Sequence, residues 1–401
     1  MTVTAHDVAT AADEIQAHVL HTPTVPAPKI GEALGLTLFL KLENLQITGS
    51  FKDRGSCRKL QRLAGHKPTG GVIAASAGNH AQGVAYHARR LGLPATIVMP
   101  KTTPFSKVER TEHLGASVVL HGDSVAESYQ HAQGIAAATG LVLVHPYDDP
   151  DIVAGQGTVA REMLADVPDL QTLLVPIGGG GLMAGMALWA RHVRPDLELI
   201  GVQTELCPSM RARIRGEPMP PLRTHTLADG IAVKVPGEIT GEILARLVDD
   251  VVLVREEDIE HAVQLLASQQ KVVAEGAGAV TLAALLRSPA RFAGRRVGAV
   301  VSGGNIDRRL LSTVLLRGLK RDGKIAKLKI TIRDVPGVLA HVTEMIGASG
   351  ADIIDIEHQR LFNHVASREA ELDVVMETRG VAHVEAILEA LRREGFTAQQ
   401  L

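Results

Sequence analysis

Between residues 55 and 315, short apolar runs alternate with segments of helical spacing, and this alternation leaves few architectures open. Gly71 to Ala75 reads as strand, Ala81 to Leu91 as helix and Ala95 to Met99 as strand. Helix follows to Leu114, then strand at Ser117 to Leu120, helix at Ser124 to Ala138 and strand at Leu141 to Val144. A second block, from about 155 to 315, has strands at Thr172 to Ile177, Glu198 to Gln203, Asp250 to Val254 and Val297 to Val301. Strands separated by helices rather than tight turns predict parallel sheets covered by helices. Two such blocks predict two α/β subdomains facing a shared cleft, the usual place for a ligand.

The ends of the chain differ from this core. Residues 5 to 20 read as an amphipathic helix, followed by the turn-rich run His21 to Pro28. Arg317 to Lys324 is polar and reads as a linker. Beyond it come strand (Ala326 to Arg333), helix (Pro336 to Ser349), strand (Ala351 to Arg360), strand (Ser367 to Thr378), helix (Val381 to Glu394) and a short last strand. That βαββαβ order predicts a small ferredoxin-like domain.

Composition agrees and excludes several functions. Hydrophobic residues make up 45% and aromatics 2%, with 39 glycines, which suits an α/β protein rather than a β-sandwich. A formal net charge of -2 gives no electrostatic case for nucleic acid or an anionic membrane as partner. Met1 to Leu20 lacks the apolar segment of a signal peptide, and no uncharged apolar run reaches spanning length, so a soluble cytoplasmic protein is expected. Cys57 and Cys207 lack metal-type spacing and read as buried thiols of a reducing compartment. The 17 histidines show no ligand spacing, and a metal site is left unassigned.

Four turns at predicted strand ends carry the candidate chemistry. Leu36 to Leu42 reads as a buried strand, a loop with Gly49 follows, and Lys52 stands where a helix begins. Burial and nearby helix dipoles there disfavour an ammonium and favour a nucleophilic amine, although a lysine beside a turn is ordinarily a surface residue. Ser76-Ala77-Gly78-Asn79-His80 follows a strand and precedes a helix, a turn that presents backbone amides to an anion. Gly178-Gly179-Gly180-Gly181 sits between a strand and a helix, where glycines let the backbone approach a phosphate. The same run fits a dinucleotide fingerprint with Glu205 as its acid, so a nicotinamide cofactor stays open from this motif alone. Ser302-Gly-Gly-Asn305 ends the Val297 to Val301 strand. Gly155 to Thr158, Ala228 to Gly230 and Glu275 are expected to line the cleft without assigned roles.

Ser50-Phe51-Lys52-Asp53-Arg54-Gly55 resembles the Schiff-base lysine segment of pyridoxal-phosphate enzymes of the tryptophan-synthase-β type, fold type II, and within them the threonine dehydratases (threonine ammonia-lyases). The resemblance spans about residues 5 to 315 and implies a pyridoxal 5'-phosphate catalytic domain over 1–320, with a small subdomain at about 55–150 inserted in the large one. It implies Lys52 as the catalytic lysine, with Phe51, Lys52, Asn79, Gly178 to Gly181 and Ser302 holding the cofactor. Asn79 would bond the cofactor's ring oxygen and Ser302 its pyridine nitrogen. Ser76, Ala77, Gly78 and His80 would form the substrate-carboxylate loop. The implied reaction is β-elimination from L-threonine, with L-serine as a poorer substrate. Relatives that racemise have a serine where this chain has Ala77, which cannot move a proton.

Leu328 to Ala340, with Ile353 to His358, resembles the opening of an ACT domain, an amino-acid-sensing module, here expected over 326–401. The resemblance implies a homodimer or homotetramer and an isoleucine or valine effector. Its carboxylate would meet helix-start amides at Asp334, Val335, Pro336 and Gly337, and its side chain the helix face near Val338 and Val342. A structural domain without a ligand is the competing reading.

Overall fold

In the computed structural model, residues 3–65, 70–360, 366 and 368–401 are described. They divide into two compact units, Met1–Ile306 and Asp307–Leu401. The first unit contains β1 (Thr24–Pro26), β2 (Thr37–Leu42), β3 (Val72–Ala75), β4 (Ala95–Met99), β5 (Ser117–Leu120), β6 (Val142–Leu143), β7 (Thr172–Pro176), β8 (Glu198–Thr204), β9 (Asp250–Val254) and β10 (Arg296–Val301). These form two sheets, six strands in the order β1-β2-β10-β7-β8-β9 and four in the order β5-β4-β3-β6. All pairs are parallel except β1 with β2. The larger sheet is built from near-continuous Val, Ile and Leu runs because both of its faces are covered.

β1 departs from expectation, since it lies inside the turn-rich His21 to Pro28 run. It is an edge strand three residues long, and a proline is tolerated there because its missing N–H faces away from the ladder. The N-terminal helix is Ala5–Ile15, so it stops short of residue 20.

Three helices cross through glycines behind the larger sheet. Gly155 on the Pro150–Asp166 helix faces Gly55 on the Lys52–Gly65 helix, where an added Cβ would lie 2.7 Å from the Gly55 Cα. Gly157 faces Gly185 of the Gly181–Val193 helix, where a Cβ would lie 2.6 Å from the Gly185 carbonyl oxygen. The Gly155 to Thr158 run expected to line the cleft is therefore a helix crossing, buried throughout. Two of these helices start at Lys52 and at Gly181, so the crossing fixes the distance between the lysine and the glycine loop.

The second unit holds β11 (Ile325–Arg333), β12 (Asp352–Gln359), β13 (Glu369–Glu377) and β14 (Thr397–Gln400), an antiparallel sheet in the order β12-β13-β11-β14 with two helices, Val338–Ala348 and Val381–Arg393. The βαββαβ order matches expectation, and Ser367 lies outside the described residues. The compact units divide at Ile306/Asp307, whereas the catalytic domain was expected to reach 320. The expected linker Arg317 to Lys324 begins inside the helix Arg308–Arg321, capped by Asp307, which accepts from the Arg309 and Leu310 amides. Its basic residues lie on the outer face of an amphipathic helix that buries Val314 and Gly318.

The helix expected from Pro336 begins at Val338, after Gly337 at φ +92°. The Asp334 and Val335 amides are already bonded, to the Arg368 and Arg333 carbonyls. Val342 is fully buried in this unit's own core and cannot meet a ligand, and Val338 packs partly against the same core.

Gly185→Ala tests the helix crossing. Propensity alone would favour alanine by about 1 kcal/mol. The new methyl would strike the Val153 carbonyl oxygen and Gly157, and overpacking costs about 1–3 kcal/mol. A lowered thermal midpoint is expected, and an unchanged or raised one would remove the crossing from the account.

Candidate active site

β2, β10 and β7 are consecutive strands in the larger sheet, and each releases a candidate motif at its C-terminal end. Lys52 follows β2, Ser302 follows β10 and the Gly178 to Gly181 loop follows β7. Ligands of parallel sheets gather at this edge. The first two loops are tied together: the Phe51 amide donates to the Ser302 carbonyl at 3.1 Å, Gly304 N donates to Gly49 O at 2.9 Å, and Ser50 bridges Gly303. Gly49, at φ +79°, makes the turn before the lysine.

The Lys52 loop is held from below by charge. Arg54 is fully buried and donates to both oxygens of buried Glu43, at 2.8 and 2.7 Å. It also reaches both oxygens of Glu162, at 2.6 and 2.7 Å. Lys41, likewise buried, donates to Glu162 at 2.7 Å and to the Thr22 carbonyl at 2.6 Å. Burial pushes the Glu162 carboxyl up, but bonding and charge from Arg54, with Lys41, bring it below the usual range. Next to Arg54, buried Asp53 accepts from the Thr48 amide at 2.7 Å and its hydroxyl at 2.8 Å, closing the turn that delivers Lys52.

The Lys52 Nζ donates to the Pro146 carbonyl at 2.7 Å and lies 5.1 Å from the centre of the Phe51 ring. Burial lowers its pKa to about 8, with Glu275 opposing. Glu275 is buried and is pushed up to about 7 by burial and by Asp229, against the Asn79 hydrogen bond, Lys107 and the Asn305 amide. The Asn79 Nδ2 donates to Glu275 Oε1 at 2.6 Å, which brings the two subdomains together across the cleft. Asn305 Nδ2 donates to Asn79 Oδ1 at 2.7 Å.

Ser76, Ala77 and Gly78 lie in the turn after β3, where Ser76 Oγ accepts from the Gly78 amide at 3.2 Å. The helix Asn79–Arg90 starts immediately beyond. His80 is directed away from this turn: its ring is buried and its Nε2 bonds the Val144 carbonyl at 3.0 Å. Burial and the Lys52 charge hold it neutral, with a pKa near 3. The Ser302 hydroxyl is buried and makes only a long bond, 3.4 Å, to the Ala277 carbonyl.

The glycine loop packs so closely against Tyr147 that it leaves no room for side chains of its own. A Cβ at Gly179 would collide with the Tyr147 ring, and one at Gly181 would lie 3.0 Å from the Tyr147 carbonyl. Gly180 takes φ +96° at the start of the Gly181–Val193 helix, where backbone amides and the helix dipole favour an anion. A buried lysine, a helix-start glycine cradle and a buried neutral hydroxyl together suit pyridoxal phosphate: an amine for its aldehyde, amides for its phosphate and a hydroxyl for its ring nitrogen.

Sequence reasoning placed Glu275 in the cleft without a role and did not single out Asn305, Tyr147 or Pro146. Asn305 was legible only as the last residue of Ser302-Gly-Gly-Asn305. Among the described residues no cluster of three His, Cys, Asp or Glu could hold a metal, and no helix is long and apolar enough to cross a membrane. Cys57 and Cys207 are free and buried.

Comparison with known proteins agrees with this donor set. The model of the family described as pyridoxal-phosphate dependent enzyme matches residues 15–303. The chain is 41% identical to L-threonine ammonia-lyase of Thermotoga maritima over 402 residues, covering 98% of both chains. It is 42% identical to the protein of that name from Geobacter sulfurreducens over 393 residues, again covering 98% of each. Among solved structures, the processed form of threonine deaminase isoform 2 from Solanum lycopersicum superposes with a TM-score of 0.73 at 33% identity, over 80% of this chain and 90% of that one. Maize serine racemase gives 0.73 at 31% identity, over 80% and 99%. These matches exclude the nicotinamide reading of the glycine run, and the chain belongs to the fold type II family of pyridoxal-phosphate-dependent enzymes.

Proposed function

We propose that this enzyme eliminates the β-hydroxyl of L-threonine to give 2-oxobutanoate and ammonia, and converts L-serine to pyruvate more slowly. The observation that carries the reading is a buried Lys52 with its pKa near 8, at the same sheet edge as the buried Ser302 and the glycine loop, which follow the next two strands. Similarity over nearly the full chain to two L-threonine ammonia-lyases supports the choice of substrate.

Bound pyridoxal phosphate supplies an electron sink for the bond broken at the substrate Cα. Lys52 would hold the cofactor at its aldehyde carbon, and the free Nζ amine would be the base that takes the Cα proton. A pKa near 8 leaves that amine able to accept and return a proton close to neutral pH. The Gly178 to Gly181 amides would hold the phosphate, Phe51 would border the ring and Asn79 would donate to the ring oxygen. The Ser76 to Gly78 turn receives the substrate carboxylate. His80, bonded to Val144, supports that turn from behind. Ser302 would meet the ring nitrogen without a charge, which would keep the sink weak and favour loss of the β-hydroxyl over longer-lived carbanion chemistry.

The second unit is read as an ACT domain. Its βαββαβ order and antiparallel β12-β13-β11-β14 sheet support this. Pairing between subunits along the β12 edge would give a homodimer or homotetramer, with isoleucine or valine bound at the Asp334, Val335, Pro336 and Gly337 turn, its carboxylate toward the Gly337 amide rather than the already bonded Asp334 and Val335 amides. Synthesis of isoleucine, or breakdown of threonine, in the cytoplasm is the role this suggests.

Lys52→Ala is expected to lose the visible absorption of the bound cofactor and to lower turnover by about 10²–10⁴-fold or more; turnover within tenfold of wild type would remove the lysine from catalysis. In wild-type protein stripped of cofactor, covalent recapture needs the neutral amine. Its rate should rise with pH around a midpoint near 8 rather than near the ordinary lysine value. A midpoint above 10 would contradict the buried amine.

Racemisation is the second reading, favoured by the fold match to maize serine racemase. Ala77 opposes it, because no proton can be returned from that side. Chiral analysis of products from L-serine should show pyruvate far in excess of D-serine, and comparable rates would overturn the argument.

For regulation, threonine saturation is compared with and without isoleucine or valine, in the full chain and in one ending at Ile306. The shorter chain is expected to stay active and lose the response, worth about 1–3 kcal/mol of coupling. A response kept by the shorter chain would move the effector out of this unit.

A further inference from the structure

An asparagine amide has a donor end and an acceptor end, and neighbours that can only donate or only accept fix which way it lies. Asn305 has one of each. Arg110, which can only donate, places Nη1 3.1 Å from the Asn305 Oδ1. The Thr48 carbonyl, which can only accept, lies 2.7 Å from the Asn305 Nδ2. The remaining Nδ2 hydrogen points at Asn79 Oδ1, 2.7 Å away. Asn79 must then turn its Nδ2 the other way, where Glu275 Oε1 accepts at 2.6 Å. One Asn79 N–H is used on Glu275, and the second is left to donate.

Two glycines make room for this chain. A Cβ at Gly49 would lie 2.8 Å from the Asn305 Oδ1, and one at Gly303 would lie 2.5 Å from the Glu275 Oε1 and 3.2 Å from the Asn79 Nδ2. The bond from Gly304 N to Gly49 O joins the two loops that carry it.

We propose that Arg110, Asn305, Asn79 and Glu275 form a directional hydrogen-bond relay in which Asn305 is a positioning residue that keeps an N–H of Asn79 facing the cofactor's ring oxygen. The relay rests on the reading that Asn79 meets that oxygen. A reversed Asn79 would set its carbonyl oxygen against the ring oxygen and turn an attraction into a repulsion. The polarity is imposed from Asn305, one side chain removed from the cofactor, and the cofactor itself need not select it.

Asn305→Leu and Asn305→Asp separate direction from shape. Leucine has nearly the shape of asparagine and releases Asn79 without reversing it, at the cost of the bonds to Arg110 and the Thr48 carbonyl as well. Aspartate keeps the shape more closely still but offers Asn79 only acceptor oxygens, and so reverses it. Cofactor is removed from each protein and titrated back by its visible absorption. The relay predicts a dissociation constant raised about tenfold by leucine and about a hundredfold by aspartate, the range expected for losing and then opposing a hydrogen bond to a charged oxygen. A packing role predicts the reverse order, and that order, or wild-type affinity in both, overturns the proposal.

The double variant Asn305→Asp, Glu275→Gln restores the charge count of the cluster. A loss that persists supports the relay, and recovery to wild type would assign the loss to charge and overturn it. If circular dichroism shows that the aspartate variant does not fold, leucine alone decides: a tenfold loss with a shifted visible band supports the relay, and unchanged values overturn it. Asn79→Ala tells the two readings apart. Unchanged affinity in that variant removes Asn79 from the cofactor, whereas a loss there with none at position 305 removes only the relay.

Discussion

The position of the catalytic lysine is set by a buried ionic cluster two residues beyond it. Arg54 and Lys41 face Glu43 and Glu162 in alternation, and each carboxylate is held by at least one buried cation. Such a cluster is a weak source of net stability, because removing the charges from water costs nearly as much as their attraction returns. Its geometric demands are severe, since losing one partner strands a buried charge at about 3–5 kcal/mol. The cluster joins strand β2, the turn after it, the Lys52–Gly65 helix and the Pro150–Asp166 helix, so these four can meet in only one register. The depressed Glu162 contributes stability above the ordinary carboxylate range and loses it as pH falls through its lowered value.

Above the cluster, the cleft is arranged so that most of its ionisable groups stand near neutrality. Lys52 comes down, Glu275 comes up, and His80 and His145 are both held below their ordinary range, chiefly by burial. His145 is kept as an acceptor by the Tyr147 and Asp148 amides, which donate to its Nδ1 at 3.3 and 2.8 Å. A site with few fixed charges leaves the electrostatics of the reaction to the phosphate, the substrate carboxylate and the movable protons of Lys52 and Glu275.

Much of the fold was legible because buried parallel strands are short, apolar and bounded by helices. Ala95–Met99 and Asp250–Val254 were found to the residue for that reason. β1 escaped because three residues ending in proline carry no periodicity. The Arg317 to Lys324 run misled because a charged outer helix face and a solvated linker have the same composition. In the site, Lys52, the glycine run and Ser302 were legible as turns at strand ends. Asn305 and Glu275 were not assigned roles, since their partner Asn79 is 226 and 196 residues away and no local pattern encodes such a pairing.

The strand order also constrains how the chain can fold as it is made. The sheet β5-β4-β3-β6 uses one contiguous stretch, Val72 to Leu143, and can close as soon as that stretch leaves the ribosome. β2 has no such freedom. Its parallel neighbour β10 is synthesised about 250 residues later, which at ordinary elongation rates means a wait on the order of ten seconds or more. During that interval the apolar strand carrying the approach to Lys52 has only β1 beside it. The nascent enzyme therefore holds a finished small subdomain next to an open, aggregation-prone edge, the kind of intermediate that chaperones shelter.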